Sequence, residues 1–176
     1  MKRVALFLDR DGVVNIDKQY VYKIEDIEFL DGIFDLIAYA KSLGYLIIII
    51  TNQSGIGRGI FSEKDFQILN QWMLDELKKN GAQVDKVYYC ASHPTKGIGK
   101  YKKVDDRRKP NTGMFFEAKK DFNIDLSKSI MLGDKISDMK AGFSSGIKNL
   151  LLLSDAEKYS YSKNIKSLKD AIIYLK

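Results

Sequence analysis

Three short stretches of this chain carry side chains suited to a phosphate group and a hard cation. Asp9-Arg10-Asp11-Gly12 follows an apolar run. In extended backbone, residues two apart project to the same side, so Asp9 and Asp11 can face one ligand while Arg10 points away. A core has no use for two carboxylates that each cost free energy to desolvate; the plain alternative is a solvated acidic turn. Such oxygens suit Mg²⁺, which takes one or two carboxylates together with substrate phosphate and water. Thr51-Asn52-Gln53-Ser54-Gly55-Ile56-Gly57-Arg58-Gly59 offers a hydroxyl, amides and three glycines. It reads as a loop whose N–H groups approach phosphate oxygens, or as an ordinary turn. Gly133-Asp134-Lys135-Ile136-Ser137-Asp138 adds two carboxylates four residues apart. Lys109 stands in Arg107-Arg108-Lys109-Pro110, where proline fixes the local backbone. A carboxylate attacking a phosphate monoester meets charge repulsion, which a fixed cation and Mg²⁺ offset. Asp9, Asp11, Thr51, Asp134 and Asp138 around one crevice, with Lys109 beside them, would do that chemistry.

The elements needed to bring these stretches together are legible. Val4–Leu8 and Leu46–Ile50 are continuous apolar runs, the pattern of strands buried on both faces. Lys86–Tyr89, Ser129–Leu132 and Asn149–Leu153 are further strands. Ile33, Leu36, Ile37, Ala40 and Leu43 recur at helical spacing before Gly44. Ser62 with Asp65 reads as a capping box opening a helix with Phe66, Leu69, Met73 and Leu77 on one stripe, stopped at Gly81. Helices are also expected at Gly113–Phe122, at Ser137–Phe143 and from Ser167 through Leu175, with residues 90–112 irregular. Alternation of strands and helices predicts a Rossmann-like three-layer α/β/α domain on a mainly parallel sheet. Its ligand crevice lies beyond the carboxyl ends of the strands.

Composition narrows the class. At 176 residues the chain is sized for one domain, 1–176. One cysteine, Cys90, forbids an internal disulfide, and with the sole histidine, His93, it cannot make a four-ligand Cys/His zinc site. A triad hydrolase would need His93 as its base. The apolar run after Lys2-Arg3 is too short for a signal peptide, and no stretch approaches a membrane span. A cytoplasmic, monomeric protein is expected. The net charge is +6, but residues 96–109 alone carry seven basic and two acidic groups.

Asp9-x-Asp11-Gly12, Thr51-Asn52, Lys109 and Gly133-Asp134-x-x-x-Asp138 resemble motifs I to IV of the haloacid dehalogenase superfamily of phosphatases, in order and spacing, across about residues 4–153. FLDRDGVVN, Glu28-Phe29-Leu30-Asp31-Gly32, TNQSGIGRG, RRKP and MLGDK are similar to its heptose-bisphosphate 7-phosphatase and histidinol-phosphatase subfamily. The resemblance implies Asp9 as nucleophile and Asp11 as general acid and base. It implies Mg²⁺ on Asp9, the Asp11 carbonyl and Asp134, with Asp138 supporting. Thr51 and Lys109 would hold the transferring phosphate. Asn52, Gln53, Ser54, Arg58, Arg108 and Lys135 would contact the rest of a phosphorylated small molecule. It also implies a minimal cap, with a flap at about 15–29 and a loop at 90–109. Relatives commonly hold zinc in that loop through Cys-x-His and Cys-x-Cys; here Ser92 and Asp105-Asp106-Arg107 stand in those places, so no zinc is expected and Cys90 and His93 are a remnant.

The implied substrate is a heptose 1,7-bisphosphate, cleaved at C7 on the way to nucleotide-activated heptose and lipopolysaccharide. Histidinol phosphate is the alternative. A basic chain also raises a 3′-phosphatase acting on nucleic-acid ends, but residues 96–109 offer only Tyr101 for stacking on bases, so no nucleic-acid partner is expected.

Overall fold

The structure is a computed structural model that describes residues 2–175. Strands β1 (Ala5–Leu8), β2 (Leu46–Asn52), β3 (Lys86–Cys90), β4 (Ile130–Gly133), β5 (Asn149–Leu153) and β6 (Lys163–Ile165) form one sheet. Its order is β3-β2-β1-β4-β5-β6, and every pairing is parallel. Strand order reverses direction at β1 and β4, so the crevice belongs beyond the carboxyl ends of those strands.

The apolar runs are explained by cover on both faces. Leu6 and Leu8 of β1 pack with α1 (Ile33–Ser42) and α3 (Glu63–Lys79), whereas Ala5 and Phe7 pack with α4 (Gly113–Phe122) and α5 (Ile136–Ser145). The Phe7 and Phe115 ring centroids lie 5.0 Å apart. Ser62 and Asp65 form the expected capping box, and the buried residues of α3 are Phe66, Leu69, Met73 and Leu77. After α1 the backbone at Gly44 turns to φ +87°, a conformation glycine adopts without the steric cost of a Cβ.

Three features differ from the sequence pattern. β6 has only Ile165 buried; Lys163 and Asn164 are exposed at the sheet edge, so no apolar run announces the strand. Ser54–Gly57 form a helical turn, α2, in place of an extended glycine loop. There a Cβ on Gly55 would collide with the Phe61 ring and one on Gly57 with the Ala91 carbonyl, so these glycines serve close packing. The last helix, α6 (Leu168–Ala171), gives way to a 3₁₀ turn at Ile172–Tyr174 and is shorter than Ser167–Leu175 implies.

Between β1 and α1, residues 15–29 leave the sheet and return. Asn15 bridges antiparallel to Phe29, and Ile16 N–H donates to the Glu28 carbonyl at 2.8 Å. The excursion carries Tyr22, stacked on Phe61 at 5.1 Å, and a 3₁₀ turn at Ile24–Asp26. No helix among the described residues is long and apolar enough to cross a membrane.

Candidate active site

The carboxyl ends of β1, β2 and β4 converge on a cavity of about 410 Å³. Asp9 leaves β1 with its N–H donating to the Leu132 carbonyl at 3.0 Å, so the ladder to β4 fixes its backbone. Gly12 then turns at φ +94° against Asp134; a Cβ there would overlap the Asp134 carboxylate. Asp138 is the third residue of α5, where its Oδ2 accepts the Lys135 N–H at 3.1 Å and caps the helix.

Lys109 joins these ends. Its Nζ lies 2.8 Å from Asp9 Oδ1 and 2.7 Å from Asp138 Oδ1, and donates to the Ile50 carbonyl at 2.9 Å. The side chain is almost wholly buried, so these charges meet with little water between them. Burial works against the Lys109 ammonium, but Asp138 and Asp9 outweigh it and hold the lysine above its ordinary range. Asp9 is pushed up to about 8 by burial and the neighbouring Asp138, against the pull of Lys109. Asp134 rises to about 6, burial being the main cause.

One oxygen each from Asp9, Asp134 and Asp138 lies within 4.8 Å of the others. Asp134 Oδ1 is buried without a hydrogen-bond partner. Two of the three carboxylates, Asp9 and Asp138, contact the buried Lys109 ammonium, and Asp9 and Asp134 resist ionisation. A hard divalent cation fits this oxygen set and its charge deficit.

Asp11 lines the same cavity. Its Oδ1 accepts from Arg10 Nη2 at 2.7 Å and Asn15 Nδ2 at 3.1 Å, and its Oδ2 from Gln53 Nε2 at 2.9 Å. Gln53 Nε2 also donates to Thr51 Oγ1 at 2.8 Å, linking the two residues across the floor. Asn52 does not present a free amide: its Nδ2 donates to the Lys109 carbonyl and its Oδ1 accepts the Lys109 N–H, both at 3.0 Å.

Asp9, Asp11, Thr51, Asn52, Gln53, Ser54, Lys109, Lys135 and Asp138 all line the cavity, and Asp134 adjoins it through the carboxylate cluster. Arg58 and Arg108 are not among the lining residues. Arg58 donates to the Tyr20 hydroxyl at 2.7 Å, and Arg108 donates to the Ser92 carbonyl at 3.2 Å. The two guanidiniums are close enough to repel, and burial with that repulsion lowers Arg108. Asp17, Gln19, Tyr20 and Ser137 also line the cavity, although their sequence context is an unremarkable polar stretch or helix start. Lys135 Nζ pairs with Asp17 Oδ2 at 2.9 Å and so ties residues 15–29 to α5.

In the loop after β3, Ser92 Oγ donates to Asp105 Oδ2 at 2.7 Å, and Asp105 Oδ1 accepts the Arg107 N–H at 3.0 Å. His93 Nδ1 accepts the Lys96 N–H at 3.0 Å, and Cys90 is buried.

The profile of the polynucleotide kinase 3 phosphatase family matches residues 6–165. The chain belongs to that family of haloacid-dehalogenase phosphatases. It is therefore a phosphoric monoester hydrolase. It is 52% identical over 157 residues to D-glycero-alpha-D-manno-heptose-1,7-bisphosphate 7-phosphatase of Burkholderia mallei, covering 89% of this chain and 83% of that one. It is 45% identical to the enzyme of the same name from Campylobacter jejuni, over 100% of this chain and 98% of the relative. The D,D-heptose 1,7-bisphosphate phosphatase of B. bronchiseptica, solved with magnesium and phosphate, superposes with a TM-score of 0.84 at 26% identity, covering 99% of this chain and 98% of that one.

Proposed function

We propose that this phosphatase removes the C7 phosphate of D-glycero-D-manno-heptose 1,7-bisphosphate, with Asp9 as nucleophile and Asp11 as general acid and base. The observation that carries the mechanism is Lys109 Nζ held between Asp9 and Asp138 at the cavity floor. An ammonium fixed there neutralises charge on both the attacking carboxylate and the incoming phosphate. Asp9 attacks phosphorus as the bond to the sugar oxygen breaks, and Asp11 gives that oxygen its proton. Asp11 then accepts a proton from water, which attacks the same phosphorus and returns Asp9 to its free form. Thr51 and Lys109 hold the phosphoryl oxygens throughout. Asp9, the Asp11 carbonyl and Asp134, supported by Asp138, would hold Mg²⁺, which supplies positive charge to the transferring phosphoryl group.

The substrate follows from what surrounds that floor. Gln19, Tyr20, Ser54 and Ser137 offer hydroxyls and an amide toward the rest of the ligand, a set suited to a polyhydroxylated sugar. Asp17, an acid in the lining, is already paired with Lys135, which leaves little to attract a cationic substrate such as histidinol phosphate. Arg58 and Arg108 stand outside the lining, but Arg58 reaches the cavity through its bond to Tyr20, and two guanidiniums beyond that edge suit a second phosphate. Residues 15–29, tied across by Asp17–Lys135 and Tyr20–Arg58, act as a flap that favours a small molecule over a strand of nucleic acid. We take the Ser92–Asp105 hydrogen bond to stand in for zinc in the 90–109 loop, and the enzyme to act as a cytoplasmic monomer. Phosphate release from both heptose bisphosphate anomers, histidinol phosphate and a 3′-phosphorylated oligonucleotide tests the assignment. The bisphosphate should give the highest kcat/KM, and preference for either other substrate would overturn it.

A further inference from the structure

Arg10 is a charged side chain only 1% exposed, and the bulkiest among the fully buried residues. Its Nε and Nη2 both donate to Asp11 Oδ1, at 3.1 and 2.7 Å, and Nη2 also donates to the Val21 carbonyl at 2.8 Å. Nη1 is buried with no hydrogen-bond partner, and the guanidinium carbon lies 5.9 Å from the Phe66 ring centroid of α3. Stability does not account for this arrangement. Burying an ion pair costs desolvation that its Coulomb energy often fails to recover, and an unpartnered Nη1 adds to the cost. An apolar residue would serve the core as well.

The contacts do fix a geometry. With Asn15 Nδ2, Arg10 loads Asp11 Oδ1 with three donors, which exhausts that oxygen. Oδ2 takes one donor among the described residues, Gln53 Nε2, and keeps a free lone pair. We propose that Arg10 is a positioning residue for Asp11: it clamps the carboxylate through Oδ1, leaves Oδ2 for proton exchange, and ties that orientation to residues 15–29 through the Val21 carbonyl. This rests on Asp11 being the general acid and base. The fork matters because a lysine in its place offers a point charge without two parallel donors.

An aryl phosphate separates positioning from folding. Asp9 attacks phosphorus, the bond to the aryl oxygen breaks, and the phenolate leaves with its electron pair, needing no proton. The second step does need Asp11: water attacks phosphorus, its proton passes to Asp11, and the bond from phosphorus to Asp9 breaks. Arg10→Lys and Arg10→Met should therefore keep a stoichiometric burst of phenolate at near wild-type rate. Steady turnover should fall on the order of 10²-fold, the scale of general acid–base catalysis. Asp11→Asn is the control and should show the same burst and stall; if it turns over normally, the role of Asp11 fails rather than that of Arg10. Burst and turnover falling together, neither falling, or neither variant folding would each overturn the proposal.

Discussion

Asn52 grips Lys109 by the backbone. The amide oxygen accepts the Lys109 N–H and the amide nitrogen donates to the Lys109 carbonyl, both at 3.0 Å, while Lys109 Nζ reaches back to the Ile50 carbonyl on the same strand. The loop holding Lys109 is thus registered against the end of β2, and the ammonium inherits that register. Asn52→Ala removes both bonds and lets Nζ drift from Asp9. Misplacement of about 1 Å at a reacting centre costs on the order of 10²-fold, so kcat should fall on that scale with KM changing little. Steady-state kinetics on the bisphosphate check this. A rise in KM at unchanged kcat would instead make Asn52 a substrate contact.

Metal binding should depend on pH in a stated direction. Burial raises Asp9 from the ordinary carboxylate range to about 8 and Asp134 to about 6 in the metal-free site. Between about pH 4 and 8 the folded chain therefore holds protons that the unfolded chain has lost. The metal-free protein should lose stability as pH rises through that window. Mg²⁺ must displace those protons, so its stabilising effect should be larger at pH 8 than at pH 5.5. Thermal unfolding with and without Mg²⁺ at the two values measures it, and an equal shift at both would contradict the assignment.

A side chain at Gly12 has to displace Asp134. Its φ of +94° and the overlap of any Cβ with the Asp134 carboxylate predict that Gly12→Ala folds but displaces Asp134. Mg²⁺ affinity should largely disappear in that variant, as read by calorimetric titration. Wild-type affinity would show that Asp134 does not hold the ion.

The loop after β3 depends on a hydrogen bond. Ser92 is buried and donates to Asp105 Oδ2, so Asp105→Ala strands a hydroxyl at a cost of about 1–3 kcal/mol. The unfolding midpoint should fall, by about 2–4 °C for each kcal/mol in a domain of this size. Because the same loop carries Arg108, KM for the bisphosphate should rise with little change in kcat.

Much of this architecture is written in local pattern. Ser62 and Asp65 cap α3 because a box needs only two residues three apart, and Phe66, Leu69, Met73 and Leu77 fall inward at helical spacing. The carboxylates are visible because charges directly after apolar strands have no structural use. What stays hidden depends on long-range partners. Asn52 looks like a ligand contact until Lys109 arrives from 57 residues away. Gly55 and Gly57 look like a phosphate loop until Phe61 and Ala91 close on them. Arg10, flanked by aspartates, reads as pointing away; it does avoid the cavity, yet it turns onto Asp11 once Val21 and Phe66 enclose it. β6 lacks any apolar run because an edge strand buries only one residue.

Transfer of the C7 phosphate to Asp9 is the proposed reaction. Phosphorus NMR of heptose 1,7-bisphosphate turnover, with wild type and Asp9→Asn side by side, addresses it most directly. Wild type in Mg²⁺ should release one equivalent of inorganic phosphate and leave the C1 phosphate signal intact, while Asp9→Asn leaves both signals unchanged. Loss of the C1 signal in wild type, or turnover by Asp9→Asn, would rule that transfer out.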